Sequence, residues 1–467
     1  MSDVLCVDVG STFTKAALVD TGSGELLATA STPTTLTTDV LDGVATVRAA
    51  AERESGRKAD DVLACSSAGG GLRVAVVGYE RLVTAEAGHR VALSAGGKVV
   101  HVAAGPLDGP APGDPTTDDL RSSRPDVVLL VGGTDGGNAE VLVHNARRLG
   151  IARLPVPVVL AGNADAADDA RAELERRRRH VVVAPNVLPR IGVLEPLGAR
   201  AAIREVFLSH VIGGKGLSKG PAFARLVRAP TPDAVLAGVE VLADGAPGEP
   251  GAGDVLVVDV GGATTDVYSV ITPDGEDAVL AKEVVAPLWR ARTVEGDLGM
   301  RWGATGVVAA ARAERLLDDA AADALATWAD AVRAVPDRLA ATAREREDDA
   351  ALARLAVTVA LRRHGRPAAP SAAPRPLRDV GLVVGSGGVL RHADAATRAA
   401  VLAPATNDHG GGWRVPERAR VVVDGRYTLF AAGLLAAQAP VAAARLARTV
   451  GGRPAGSDGP APPQRAG

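Results

Sequence analysis

Asp254-Val-Leu-Val-Val-Asp-Val-Gly-Gly-Ala-Thr-Thr-Asp266 sets an acid, two glycines and two hydroxyls directly behind four apolar residues. Val255 to Val258 read as a buried strand, after which Gly261-Gly262 lets the chain turn. A carboxylate such as Asp259 at a strand end holds Mg²⁺ directly or through water. Paired glycines let backbone N–H groups reach phosphate oxygens with no side chain between. Thr264 and Thr265 add hydroxyl donors, and Asp266 opens the alternation Val267-Tyr-Ser-Val270, which suits a returning strand. The implied chemistry is a hairpin that clamps phosphate and metal together.

The chain carries this pattern twice. Val4-Leu-Cys-Val-Asp-Val-Gly-Ser-Thr-Phe-Thr-Lys15 aligns with Val255 to Asp266 at an offset of 251, with seven of twelve positions identical. Either copy alone is equally an unliganded β-hairpin; repetition in one register favours a shared role. Duplicated Asp-x-Gly hairpins resemble those of the actin, Hsp70 and sugar-kinase superfamily, through Asp8-Val-Gly-Ser-Thr12 and Asp259-Val-Gly-Gly-Ala-Thr264. The resemblance implies an α/β, actin-like ATPase fold: two duplicated ribonuclease H-like lobes around a nucleotide cleft, with ATP as ligand. It gives Val383-Val-Gly-Ser-Gly-Gly-Val-Leu390 the place of the adenosine loop. Leu390 breaks a Gly-x-Gly-x-x-Gly pattern, which argues against a dinucleotide site.

On that reading Asp8, Gly10, Ser11, Thr12, Thr14 and Lys15 from the first hairpin contact nucleotide, as do Gly261, Gly262, Thr264 and Thr265 from the second. Gly385, Ser386, Gly387 and Gly388 contact the adenosine side. Asp8 and Asp259 position Mg²⁺, and Asp259 or Asp266 orients the attacking water. Lys15 either neutralises phosphate or simply begins the outgoing strand.

These residues need a scaffold, and the composition bounds it. A chain of 467 residues supports several domains and a sizeable core. Lys and Arg total 52 against 55 Asp and Glu, a formal charge of −3. No global field therefore draws it to nucleic acid or to a membrane, and partners are expected to be small molecules or protein. Cys6 and Cys65, with no Cys-x-x-Cys, exclude a disulfide scaffold and a structural zinc site, and a reducing cytoplasm fits. The N-terminus lacks a basic region and carries an acid in its first apolar run, so no signal peptide is expected there. The longest apolar span, 429–447, is interrupted by Gln438, Pro440 and Arg445, and a soluble protein is expected.

Strands are expected at 4–9, 15–20, 25–31, 62–65 and 74–78, with helices at 39–51 and 84–95. Residues 105–125 read as a solvent loop or linker, and 243–253 and 365–378 as Pro-rich connectors. Strands at 126–131, 156–160 and 181–183, alternating with helices at 138–149 and 166–178, predict a small parallel βαβ unit. Asp135 and Asn138, beyond its strand ends, either read a second ligand or partner, or cap the following helix. The run Arg176 to Arg179 reads as a solvated surface. Lys215, in Gly213-Gly-Lys-Gly216, lacks the glycine and the hydroxyl of a P-loop. A strand is expected near 279–285. Glu295 and Asp297 either approach the γ-phosphate or a partner, or form surface ion pairs. Pro336 interrupts the helical stretch that follows.

The domains expected are a first lobe core at 1–104 and an inserted α/β unit with return at 125–242. A second lobe follows at 254–450, holding a helical subdomain at about 303–364, and a disordered tail ends the chain at 451–467. Four blocks are more specific than the phosphate loops: Gly132-Gly-Thr-Asp-Gly-Gly-Asn138, Pro185-Asn-Val-Leu-Pro189, Ala199-Arg-Ala-Ala-Ile-Arg-Glu-Val-Phe-Leu208 and Thr293-Val-Glu-Gly-Asp-Leu-Gly-Met-Arg301. They resemble the glutamate mutase accessory (MutL, or GlmL) family over about residues 3–445. That resemblance implies an ATP-dependent reactivating chaperone, partner to adenosylcobalamin-dependent mutase subunits, that drives exchange of damaged cobalamin. A small-molecule kinase and a non-catalytic actin-like scaffold are the alternatives of the same fold.

Overall fold

The structure is a computed structural model that describes residues 2–109, 113–272, 289–367 and 374–451. Its first element is β1 (Asp3–Val9), buried along its whole length as its apolar run requires. β2 (Phe13–Asp20) and β3 (Leu26–Pro33) follow, then β4 (Asp61–Ser66). β5 (Leu72–Gly78), β6 (Gly97–Ala104), β7 (Val127–Leu130), β8 (Val158–Leu160) and β9 (Val181–Val183) come next, before the chain returns with β10 (Val227–Pro230). A short hairpin, β11 (Gly245–Ala246) and β12 (Glu249–Pro250), leads to β13 (Val255–Val260) and β14 (Thr265–Val270). β15 (Arg290–Glu295), β16 (Leu382–Ser386) and β17 (Arg420–Val423) complete the strands.

Two sheets repeat one topology. The first runs β3-β2-β1-β4-β10 and the second β15-β14-β13-β16-β17. In each, the first three strands are mutually antiparallel and the last three parallel. These are the duplicated ribonuclease H-like lobes of an actin-like α/β fold. Each lobe sends a helix after its last strand, Thr231–Asp244 and Leu429–Leu435, and the two pack between the sheets. Val4 and Cys6 of β1, Val255 and Val257 of β13 and Leu236 and Phe430 of these helices share one core.

The third sheet, β6-β5-β7-β8-β9, is wholly parallel, the doubly wound order with a switch point between β5 and β7. Here the sequence reading is corrected. The strand expected at 74–78 was placed in the first lobe, yet Val74 pairs with Val127, so the inserted sheet includes β5 from Leu72 on, and β6, which was not expected, pairs with it. A strand buried on both faces looks the same in either sheet, and periodicity does not assign it.

Residues 105–109 and 113–125 are not a solvent loop. Leu107 and Leu120 are fully buried, and the helix Thr117–Ser122 is capped by Thr116. The 243–253 connector forms the β11–β12 hairpin, pinned where Arg445 and Arg448 pair with Glu249. Residues 290–295 form β15, a strand that was not expected; the strand expected near 279–285 and residues 452–467 of the tail lie outside the described residues.

Three helices, Ala304–Ala313, Asp319–Ala334 and Ala343–Gly365, form the helical subdomain on the second lobe, and the middle one stops just before Pro336. The last starts with a capping box in which Thr342 and Glu345 satisfy each other's backbone N–H. Lys215 is spent on Asp126 at 2.7 Å, and Arg179 on the carbonyls of Leu154 and Ala152.

Candidate functional site

The two hairpins are the same object. In β1–β2, Asp8 faces Lys15 and Val9 faces Thr14; in β13–β14, Asp259 faces Asp266 and Val260 faces Thr265. Each turn closes with one bond, Gly10 N–H to Phe13 O at 3.1 Å and Gly261 N–H to Thr264 O at 2.9 Å. A Cβ on Gly10 would lie 2.8 Å from Phe13 O, and one on Gly261 2.9 Å from Thr264 O, so both turns demand glycine. The turns meet: Thr12 Oγ1 is 3.9 Å from where a Cβ on Gly262 would stand.

The two aspartates differ in their settings. Asp8 is buried, its Oδ1 accepting from Thr231 Oγ1 at 2.6 Å and its Oδ2 from Tyr427 O–H at 3.3 Å. Lys15 Nζ lies 3.9 Å from Asp8 Oδ2 and 3.6 Å from the Tyr427 ring centroid, a cation–π contact. Asp259 keeps partial exposure. Loss of hydration pushes its carboxyl up to about 6; Lys15 and the hydrogen bond from Ser386 oppose the rise, while the charges of Asp266 and Asp8 add to it. That environment brings Asp8, Lys15, Asp259, Asp266 and Ser386 into one electrostatic neighbourhood.

β4 and β16 occupy equivalent places, pairing Cys65 with Asp8 and Ser386 with Asp259. Cys65 Sγ lies 3.7 Å from Asp8 Oδ1, and its apolar burial pushes the thiol well above its ordinary range. Past Ser386 the chain turns at Gly387, where a Cβ would meet Val260 O at 2.1 Å, and Gly388 opens a short helix. The third glycine loop therefore lies directly against the second hairpin.

Other expected residues are placed elsewhere. Thr14 and Thr265 are fully buried, their hydroxyls bonded to Thr34 Oγ1 and Leu298 O, and they face packing rather than the turns' open side. Thr264 Oγ1 donates to Asp266 Oδ2 at 3.0 Å, and Ser11 and Thr12 stand at the open turn. Asp266 is paired to buried Arg292. Glu295 and Asp297 share Arg363, at 2.8 and 2.7 Å; burial raises the Glu295 carboxyl, and the Arg363 bond lowers that of Asp297. The ion-pair alternative describes them. Asn138 Oδ1 accepts from Val141 N–H at the start of the next helix, and Asp135 Oδ1 accepts from Ala164 N–H and Asn186 Nδ2. Both carry structural bonds at the strand ends.

Sequence reading missed Thr231, Tyr427, Arg292 and Arg301. Arg301 packs its stem by Gly262 and pairs with Asp349, which also accepts from Trp328 Nε1. Met300 and Arg301 N–H groups donate to the carbonyls of Gly261 and Gly262, laying the 293–301 block on the second hairpin. An arginine three residues before Glu295-Gly-Asp297 was the available signal for Arg292.

The family model described as MutL protein matches residues 4–450. A curated relative, Protein MutL of Clostridium tetanomorphum, is 35% identical, with 96% of this chain and 98% of that protein aligned. The chain belongs to the MutL family, the glutamate mutase accessory family its blocks resemble. Solved structures similar to this member include glycerol dehydratase reactivase, 13% identical over 93% of this chain and 99% of that one, TM-score 0.36. An activator of 2-hydroxyisocaproyl-CoA dehydratase from Clostridium difficile with bound ADPNP is 11% identical over 96% of both, TM-score 0.30. The strand orders, not these likenesses, carry the fold. Among the described residues no helix is long and apolar enough to cross a membrane.

Proposed function

We propose that this MutL-family chain is an ATP-dependent reactivating chaperone for an adenosylcobalamin-dependent mutase of glutamate mutase or aminomutase type, driving exchange of damaged cobalamin. The observation that supports the nucleotide half is the pair of identical Asp-x-Gly turns meeting at Thr12 and Gly262. Family membership supports the partner half.

Ser11 and Thr12 present their amides and hydroxyls to phosphate from one side and the Gly262 backbone from the other, on turns that the Gly10 and Gly261 N–H groups close; Thr264 Oγ1 is held by Asp266. Gly385, Ser386, Gly387 and Gly388 take the adenosine side. Thr14 and Thr265 drop out as contacts, because their hydroxyls are spent inside the lobes. Asp8 and Asp259 would hold Mg²⁺. No group of three or more His, Cys, Asp or Glu side chains gathers into a metal site of its own among the described residues. That donor set suits Mg²⁺, which takes one or two carboxylates and completes its shell with water and phosphate. When bound, the ion supplies neutralisation of phosphate charge.

Asp259, rather than Asp266, orients the attacking water. Its carboxyl titrates near 6, is ionised at neutral pH and keeps an open side, whereas Asp266 is tied to Arg292 and Thr264. Lys15, stacked on Tyr427, places positive charge beside both aspartates.

The test is ATP turnover by the purified chain, alone and with an adenosylcobalamin-dependent mutase of glutamate mutase type, together with a screen of phosphate acceptors. Mutase-stimulated release of inorganic phosphate supports the proposal. A stoichiometric phosphorylated small molecule replaces it with a kinase, and polymerisation with little turnover replaces it with a scaffold.

A further inference from the structure

Arg292 is a buried cation whose bonds reach two parts of the molecule. From β15 its Nε and Nη2 donate to Asp266 Oδ1 at 2.9 and 2.5 Å, on the second hairpin. Its Nη1 donates to Gly97 O at 3.1 Å and Leu93 O at 3.3 Å, which belong to the inserted α/β unit. Leu93 lies in the last turn of the helix Thr84–Ser94 and Gly97 opens β6 just beyond it, where the last carbonyls carry the negative end of the helix dipole. The guanidinium therefore caps a helix of one unit while neutralising an acid of the other.

This contact crosses a structural divide. The inserted unit is continuous with the first lobe: Val74, Val76 and Leu129 share a core with Leu5, Val7 and Leu18. Arg292 nonetheless fastens it to the second lobe. Arg292 and Asp266 are 4% and 8% exposed, and parting them in that interior would leave two unpaired charges, so hairpin and helix end move together.

The far end of the same helix reaches the strand ends of the inserted sheet. Thr84 Oγ1 accepts from Tyr79 N–H at 2.8 Å and Glu80 N–H at 3.2 Å, in the loop after β5. That loop borders the switch point between β5 and β7, the crevice where open α/β sheets bind ligands. Leu82 stands 58% exposed there. Eleven residues of helix span about 16 Å between the two ends.

We propose that Arg292 is a positioning residue that transmits the state of the second hairpin, through the 84–94 helix, to the strand-end crevice of the inserted unit. The proposal rests on the nucleotide reading of the hairpins. Coupling of this kind needs an element whose arrangement both ends bias, and the helix held at one end by Arg292 and at the other by the 79–83 loop is that element.

Hydrogen exchange of the full chain, with and without Mg²⁺ and a non-hydrolysable ATP analogue, tests it. In the unsubstituted chain the analogue changes exchange in both hairpins and in residues 79–104. In Arg292→Met the hairpin change persists and the change at 79–104 is lost. Arg292→Lys, which keeps a cation for Asp266 but lacks a fork to reach two carbonyls as well, loses it too and serves if the methionine variant does not fold. Persistence of the 79–104 response in either folded variant overturns the inference, as does its absence from an unsubstituted chain whose hairpins respond. Absence of any hairpin response instead overturns the nucleotide reading.

Discussion

Lys15 and Asp266 hold the same position in the two hairpins, opposite Asp8 and Asp259, and carry opposite charge. The first hairpin thus balances its own acid, while the second sets two acids side by side. The imbalance is met from outside: Arg292 neutralises Asp266, and Lys15 from the other hairpin acts on Asp259. One duplicated turn has become two unlike halves whose charges depend on each other.

Lys15→Met should therefore weaken nucleotide binding about tenfold or more, about 1.4 kcal/mol, in a calorimetric titration with Mg²⁺–ATP. Unchanged affinity would mean that the ammonium serves only its stack on Tyr427.

Asp259→Asn should lower ATP turnover by roughly 10²-fold or more with the circular dichroism spectrum preserved. In the unsubstituted chain turnover should fall as pH drops through about 6, where the Asp259 carboxyl protonates. Ser386→Ala removes a bond that favours the ionised form, so it should move the midpoint of that profile upward.

The same carboxyl affects stability with a definite sign. Its folded value, about 6, lies above the ordinary 3.8, so the folded chain holds the proton more tightly than the unfolded one. The contribution is fully present below about 3.8 and is lost as pH rises through about 6. Asp259→Asn should accordingly gain about 1–2 kcal/mol at pH near 8, a full two-unit shift being reduced for partial exposure, and little under acid conditions. Denaturant melts at the two pH values check it.

Thr231→Val should destabilise the chain by about 1.5–3 kcal/mol, because the buried Asp8 Oδ1 loses a 2.6 Å donor and gains no substitute. A melting curve with no shift would show that water replaces the hydroxyl.

Gly238 and Gly433 mark the crossing of the 231–244 and 429–435 helices. A Cβ on Gly238 would stand 1.9 Å from Leu429 O, and one on Gly433 1.8 Å from Ala234 O. Either glycine replaced by alanine should force the helices apart, at a cost of about 1–3 kcal/mol in stability, and lower nucleotide affinity by displacing the lobes. Loss of stability without loss of affinity would separate the crossing from the cleft.

The amino-acid sequence determined the two turns, their common register and the third glycine loop, because an acid after an apolar run and glycines under a carbonyl are local requirements that the chain states twice. It also determined the family, through blocks such as 293–301 that pack directly on the second turn. Tertiary structure alone decided that β5 belongs to the inserted sheet, since a doubly buried strand carries no mark of its neighbours. It alone turned Thr14 and Thr265 inward, gave Asp8 its bonds from Thr231 and Tyr427, and brought Arg292 between Asp266 and a distant helix end. Those contacts join residues up to 419 positions apart, and no local pattern records which buried donor will meet which buried acceptor.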